Sequence, residues 1–280
     1  MRIKVWGCRG SIPSPGGDTS KYGGNTTCIE VRLGDGSLVV IDAGSGIRNL
    51  GRELVRRREP RLIHLFLTHA HWDHLQGFPF FLPAYQKGFT LQVWGGPRSA
   101  ATLRSYLRQQ LTPPFFPVKF AELGAAIRFP ARPATQISIG GTSIQSIPLT
   151  HPDGGYGFKF SEEGRTFVFL TDNELSHKHH GGLDFDDYLR FSEGADLLIH
   201  DAEYTPEQYT MTKGWGHSVY NDALRLAMDA RAKQFGLFHH NQDRTDAEQD
   251  EIVDDCRRIA KGKKAKLKCF ALETDMEITL

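Results

Sequence analysis

Three histidines and an aspartate, His69, His71, Asp73 and His74, crowd into six residues where an apolar run over 62–67 ends in Thr68. In extended chain, side chains two residues apart share a face. His69 and His71 can therefore converge on one ion while Asp73 and His74 turn toward a second beside it. Imidazoles mixed with a carboxylate suit zinc, manganese or iron, whereas calcium and magnesium want mostly oxygen. Four residues cannot complete two such sites, and the chain offers three more donors. His151 follows a strand-like run over 142–149, Asp172 follows 166–170, and His239 follows 235–238. Loops at the ends of a rigid scaffold are the usual place for functional groups. His240 competes with His239; His239 is preferred because it directly ends its run.

These donors need a frame to position them. The chain has 280 residues, 39% hydrophobic and 24% charged with a net charge of +1, enough to bury a substantial core. Near-neutrality argues against a surface built for DNA. One domain over residues 1–280 is expected. Hairpins are predicted from 28–33 with 37–41, 137–139 with 142–149, and 156–160 with 166–170, each closed by a glycine-containing turn. Helical spacing covers 98–111, 218–234 and 246–260, and apolar runs at 62–67, 196–200 and 235–238 read as strands. Hairpins followed by strand and helix units predict a layered α/β sandwich with outer helices. Residues 78–130 read as an apolar insertion, with three phenylalanines and three prolines in 113–120, suited to a lid or a homodimer contact. No run is long enough to cross a bilayer and the first residues lack a secretory apolar stretch, so a cytoplasmic enzyme without membrane partners is expected. Cys8, Cys28, Cys256 and Cys269 lack C-x-x-C spacing and read as free thiols.

The series Thr68, His69, His71, Asp73, His74 matches T-H-x-H-x-D-H and resembles the metallo-β-lactamase superfamily. The likeness extends through Ile41-Asp42-Ala43-Gly44, Thr150-His151, Leu170-Thr171-Asp172 and Phe238-His239. It implies a four-layer αββα sandwich with the site at one edge of the sheets. It also implies that His69, His71 and His151 hold one divalent ion, that Asp73, His74 and His239 hold another, and that Asp172 bridges them. Asp42 is then a supporting carboxylate rather than a ligand.

Two further segments narrow the chemistry. HDAEYT at 200–205 and GWGHS at 214–218 resemble the "HEAT" and "HST" motifs of the tRNA 3′-processing ribonuclease and its phosphodiesterase relatives. Asp201 stands where those enzymes have glutamate, and His217 matches their catalytic histidine. The resemblance implies that His217 donates a proton to a leaving group, that Asp201 orients it, and that Asp73 belongs to the catalytic set as well as to the metal site. A dinuclear phosphodiesterase acting on a small phosphodiester, such as a cyclic nucleotide or phosphoribosyl cyclic phosphate, is the expected function. The long glycine-rich arm with which ribonuclease Z grips tRNA has no counterpart in the sequence. The alternatives are a tRNA 3′-processing endoribonuclease and a non-catalytic nucleotide or metal sensor on the same fold. The glycine-rich opening, WGCRGSIPSPG and KYGGNTTC, lacks G-K-[ST] and is read as a loop near the metals, with Arg9 and Asn25 as candidate phosphate contacts. His177, His179 and His180 are read as a mobile loop over the site or an extra ion site. Basic runs at 56–58 and 261–268 are read as solvated faces.

Overall fold

Segments such as Leu38–Ile41 are apolar at every position, the pattern of strands covered on both faces. The computed structural model, which describes residues 1–58 and 61–280, puts these segments inside two seven-stranded sheets. In chain order the elements begin β1 (Arg2–Gly7), β2 (Cys28–Arg32), β3 (Leu38–Ile41), α1 (Ile47–Arg57), β4 (Leu62–Phe66), α2 (Trp72–Leu75), β5 (Thr90–Trp94), α3 (Ala100–Gln110) and β6 (Ala126–Arg128). There follow β7 (Gln136–Ile139), β8 (Thr142–Leu149), β9 (Gly155–Glu162), β10 (Arg165–Leu170), α4 (Phe185–Ser192), β11 (Leu197–Asp201) and α5 (Pro206–Thr212). The chain closes with α6 (Tyr220–Asp229), β12 (Gln234–Phe238), α7 (Asp246–Gly262), β13 (Lys268–Ala271) and β14 (Glu277–Thr279). The first sheet is ordered β14-β1-β2-β3-β4-β5-β6 and the second β13-β12-β11-β10-β9-β8-β7.

Alternation along the strands builds four layers. Val39, Ile41 and Phe66 of the first sheet pack with Phe167, Phe169, Leu197 and Ile199 of the second, forming the core between the sheets. Their neighbours face outward. Leu38, Val40, Ile63 and Leu65 meet Leu50 and Leu54 of α1 and Leu103 and Leu107 of α3. Val168, Leu170 and Leu198 meet α4, α6 and α7 through Tyr188, Leu224 and Val253. The result is an αββα sandwich, with aromatic rings such as Phe66 and Phe158 meeting edge-on at 5.1 Å across the central layer.

The three predicted hairpins form with the expected pairing, for example Ile29 opposite Ile41 and Ile144 opposite Ile137. The helix expected over 218–234 is shorter, Tyr220–Asp229, because Arg231 takes a left-handed φ of 54° and the chain enters β12 at Gln234. Residues 78–130 are not simply an appended insertion. They supply β5, α3 and β6, and Leu91, Val93, Leu103 and Leu107 are fully buried in the outer layer. Their apolar character is the demand of a sheet edge and the helix that covers it. Among the described residues, no helix is long and apolar enough to cross a membrane.

Phe169 has no exposed surface and meets Phe238 edge-on at 5.3 Å. Phe169→Ala should destabilise the fold by about 3–5 kcal/mol. Chemical denaturation measures this, and an unchanged midpoint would contradict the central-layer packing.

Candidate metal centre

In each sheet the hairpin strands give way to parallel ones: β3 to β6 in the first and β10 to β13 in the second. Asp42, His69, Asp172, Asp201 and His239 all lie at or just past the carboxyl ends of such strands, and His151 lies past β8. Crevices outside the carboxyl ends of parallel strands are the general ligand site of open α/β sheets. The backbone is bent to turn these side chains inward. Asp42, Asp172 and His239 have φ of 61°, 54° and 57°. That left-handed conformation costs an L-residue other than glycine roughly 1–2 kcal/mol. The single turn α2, with His71 as its N-cap, folds Asp73 and His74 back over the end of β4.

The seven donors gather into two adjoining groups. The rings of His69, His71 and His151 form a near-equilateral triangle, with centroids 4.6, 4.7 and 4.7 Å apart. His71 Nδ1 lies 3.1 Å from His151 Nε2. In the second group, His74 Nε2 is 3.3 Å from Asp73 Oδ2, and His239 Nε2 is 3.0 Å from the same oxygen. Asp172 touches both groups: Oδ2 is 3.4 Å from His69 Nε2 and 3.2 Å from His74 Nε2, and Oδ1 is 3.5 Å from His239 Nε2. Donor atoms around a tetrahedral zinc stand about 3.3 Å apart, given bonds of about 2.0–2.1 Å. The buried Nε2 atoms of His69 and His74 make no hydrogen bond. Buried nitrogens left in this state and aimed at carboxylates fit a divalent cation between them.

The rings of His74, His151 and His239 are held by their other nitrogen, as in metal sites generally. His74 Nδ1 donates to Asp42 Oδ2 at 2.7 Å, and Asp42 is itself held by the Thr68 amide and hydroxyl, both at 2.8 Å. His151 Nδ1 donates to the Gly216 carbonyl at 3.0 Å. His239 Nδ1 donates to Glu203 Oε2 at 2.8 Å. The opening loop reaches the centre through the Ser11 amide, which donates to Asp73 Oδ2 at 2.9 Å.

A third group stands beside the second. His217 Nδ1 donates to Asp201 Oδ2 at 3.0 Å and lies 3.4 Å from Glu203 Oε2, and its ring stacks on His239 with centroids 4.6 Å apart. Asp201 also accepts the amides of Asn173, Ser218 and Glu203, so it ties the end of β10 to the loop carrying His217. Glu203 was not among the residues expected from the sequence. It links His217, His239 and Asn241, whose side-chain amide donates to Oε1 at 3.0 Å. The signal was present: Glu203 stands two residues from Asp201, the same spacing that pairs His69 with His71.

Several expectations change. Arg9 is 1% exposed and spends its guanidinium on the carbonyls of Gly23, Asn241 and Arg244, so it staples loops together and is closed to phosphate. Asn25 accepts from Ser45. His240 faces away and bonds the Leu272 carbonyl. His177, His179 and His180 belong to none of the converging donor groups found among the described residues. Within their loop, His179 meets the buried Glu174 at 2.7 Å, and its amide donates to Thr150 Oγ1 at 2.7 Å.

Electrostatics divides the histidines. Burial lowers the pKa of His69, His71 and His151, the last to about 3, so these rings are neutral. Burial also opposes charge on His74 and His239, but carboxylates outweigh it: Asp172, Asp73 and Asp42 for His74, and Asp172, Asp73 and Glu203 for His239. Both are held well above the ordinary value. For His217, burial is overcome by Glu203 and then Asp201, and its pKa is pushed up to about 9.

The β-lactamase superfamily domain matches residues 38–240. The ribonuclease Z of Haloarcula marismortui is 24% identical over 94% of this chain and 93% of its own length. The probable metallo-hydrolase YhfI of Bacillus subtilis is 26% identical over 85% of this chain and 86% of its own. The crystal structure of YhfI superposes with a TM-score of 0.68 at 18% identity, covering 99% of this chain and 98% of YhfI. A diphosphatase of the PhnP family superposes at 0.66 and 18% identity, covering 100% and 97%. The chain belongs to the β-lactamase superfamily, in its ribonuclease Z-like branch, and is a metal-dependent hydrolase.

Protons and metal compete unequally at the two groups. His74 and His239 must shed protons to bind a cation, so affinity there should fall with pH by up to about a hundredfold per unit for two displaced protons. The triangle of His69, His71 and His151 should keep its metal to lower pH. Competition titrations between about pH 6 and 8 test this, and identical pH slopes for both ions would refute it. A Cβ at Gly216, whose φ is 97°, would overlap the His151 ring. Gly216→Ala should therefore weaken metal binding by roughly 10–100-fold; metal content by elemental analysis is the readout, and full retention would contradict this packing.

Proposed function

We propose that this hydrolase is a dinuclear phosphodiesterase that cleaves a small phosphodiester, such as a cyclic nucleotide or a phosphoribosyl cyclic phosphate. The observation that carries the reading is His217, buried beside the metal centre with Nδ1 bonded to Asp201 and close to Glu203. With a pKa of about 9, the ring carries its proton at neutral pH, and engagement of Nδ1 leaves Nε2 to present it. Two divalent ions, zinc or manganese and alternatively iron, would activate water as the nucleophile and neutralise charge on the phosphoryl oxygens when held by His69, His71, Asp73, His74, His151, Asp172 and His239.

The chain's own groups do the rest. Cleavage of an alkyl phosphodiester expels an alkoxide, a poor leaving group. His217 Nε2–H delivers the proton as the P–O bond breaks, and Asp201 and Glu203 stabilise the imidazolium that must exist beforehand. Glu203 also fixes the His239 ring, so one carboxylate sets both the acid and a metal ligand. Asp73 acts as a ligand held in place by Ser11. The net charge of +1 supports a small substrate, since a long RNA draws most of its affinity from many basic contacts. The free, buried thiols of Cys8, Cys28, Cys256 and Cys269 suit a cytoplasmic enzyme. The near full-length relation to a ribonuclease Z favours tRNA 3′ processing as the second reading. A panel of cyclic nucleotide, linear dinucleotide and precursor tRNA, offered to the metal-loaded enzyme, separates the two.

If His217 protonates the leaving group, His217→Ala should slow cyclic-nucleotide hydrolysis by about 10²–10⁴-fold. A p-nitrophenyl diester, whose leaving anion needs no proton, should lose far less. Equal losses on both substrates would remove His217 from that role.

A further inference from the structure

Two indoles stand exposed beside the metal centre, and burial does not account for either. Trp72 is 68% exposed although it lies between His71 and Asp73, and Trp215 is 63% exposed although it lies two residues before His217. Within α2, Asp73, His74 and Leu75 are buried, so Trp72 is the residue of that turn left facing out. Trp215 sits on a rigid mount. The buried Glu174 accepts the Gly214 amide at 2.7 Å and the Gly216 amide at 2.8 Å, on either side of the indole, and the Trp215 amide donates to the Thr212 carbonyl at 3.0 Å. Both neighbouring glycines have positive φ, 89° and 97°.

A neighbour of each tryptophan meets the same imidazole. His151 Nε2 lies 3.1 Å from Nδ1 of His71, the residue before Trp72, and His151 Nδ1 donates at 3.0 Å to the carbonyl of Gly216, the residue after Trp215. One imidazole is therefore in contact with the residue before Trp72 and the residue after Trp215. Ile12, 57% exposed, follows Ser11 on the Asp73 side and adds a third apolar group. Exposed aromatic rings at the edge of a polar site match a planar ring joined to a phosphate, because stacking tolerates any base while the centre engages the phosphoryl group.

We propose that Trp72 and Trp215 stack on the planar base of the substrate, making this enzyme selective for nucleotide phosphodiesters over base-free sugar phosphodiesters. The proposal rests on the phosphodiesterase reading above. Its test has two arms. In the first, kcat/KM is measured for a 2′,3′-cyclic nucleotide and for the base-free ribose cyclic phosphate. The wild-type preference for the nucleotide should fall roughly tenfold or more in Trp72→Ala or Trp215→Ala, mainly through KM, and be partly restored in Trp215→Phe. In the second, adenosine 5′-monophosphate should quench indole fluorescence where ribose 5-phosphate does not, and the double alanine variant should lose the quench. Undiminished preference and quench in that variant would overturn the proposal, as would a change in oligomeric state with nucleotide binding intact. Quenching without turnover of any phosphodiester would uphold base binding while rejecting the phosphodiesterase reading.

Discussion

The structure is organised around a burial that would be prohibitive without compensation. Asp73 and Asp172 lie almost wholly out of water against the imidazoles of His69, His74 and His239. Removing a carboxylate from water costs several kcal/mol even after relaxation, unless opposite charge and good geometry meet it. Cationic charge, as protons on His74 and His239 or as divalent metal, meets it here. The left-handed turns at Asp42, Asp172 and His239 serve that arrangement, and so do the bonds from Asp42, Glu203 and Gly216 to the outer ring nitrogens. Strain of this kind persists where the surrounding structure over-determines it.

Neither sheet holds the centre alone. His69, His71, Asp73 and His74 come from the end of the first sheet's β4 and the turn beyond it, whereas His151, Asp172 and His239 come from the second sheet. Their meeting depends on the layer between, where Phe66, Phe158, Phe167 and Phe169 lock the sheets face to face. Close packing makes that layer stiff, and a stiff layer keeps donors from different strands at ligand separation. Arg9 adds a second restraint, joining the opening loop to the segment after β12 through buried hydrogen bonds.

Much of this was legible because it is local. The continuous apolar run over 167–170 and the glycine turns of the hairpins are local signals, and the structure has those strands in those pairings. Less legible was whatever depends on distant partners. The pairing of β1 with β14, which joins the two ends of the chain, has no local signature. The segment 78–130 reads as an insertion because it is apolar and aromatic, yet it completes a sheet edge and the helix over it. Arg9 resembled an anion contact because arginine beside glycines often is one; only its burial among carbonyls shows otherwise. Glu203 went unselected because its neighbour Asp201 already filled the motif.

By itself, the sequence determined the donor chemistry and its placement at strand ends: the H-x-H-x-D-H cluster, the later His151, Asp172 and His239, and the His217 loop. Residue type and short-range spacing carry that information, since coordination chemistry and the two-residue pleat both act within a few residues. The tertiary structure decided which neighbours serve which donor. It set Asp42 behind His74, Glu203 between His239 and His217, and His240 against Leu272, and it left Trp72 and Trp215 exposed. Those relations, like the contact of Asp73 with His239 across 166 positions, join residues far apart in the chain. They arise only when two sheets stack, because a side chain's second partner is a matter of packing in space rather than of order along the chain.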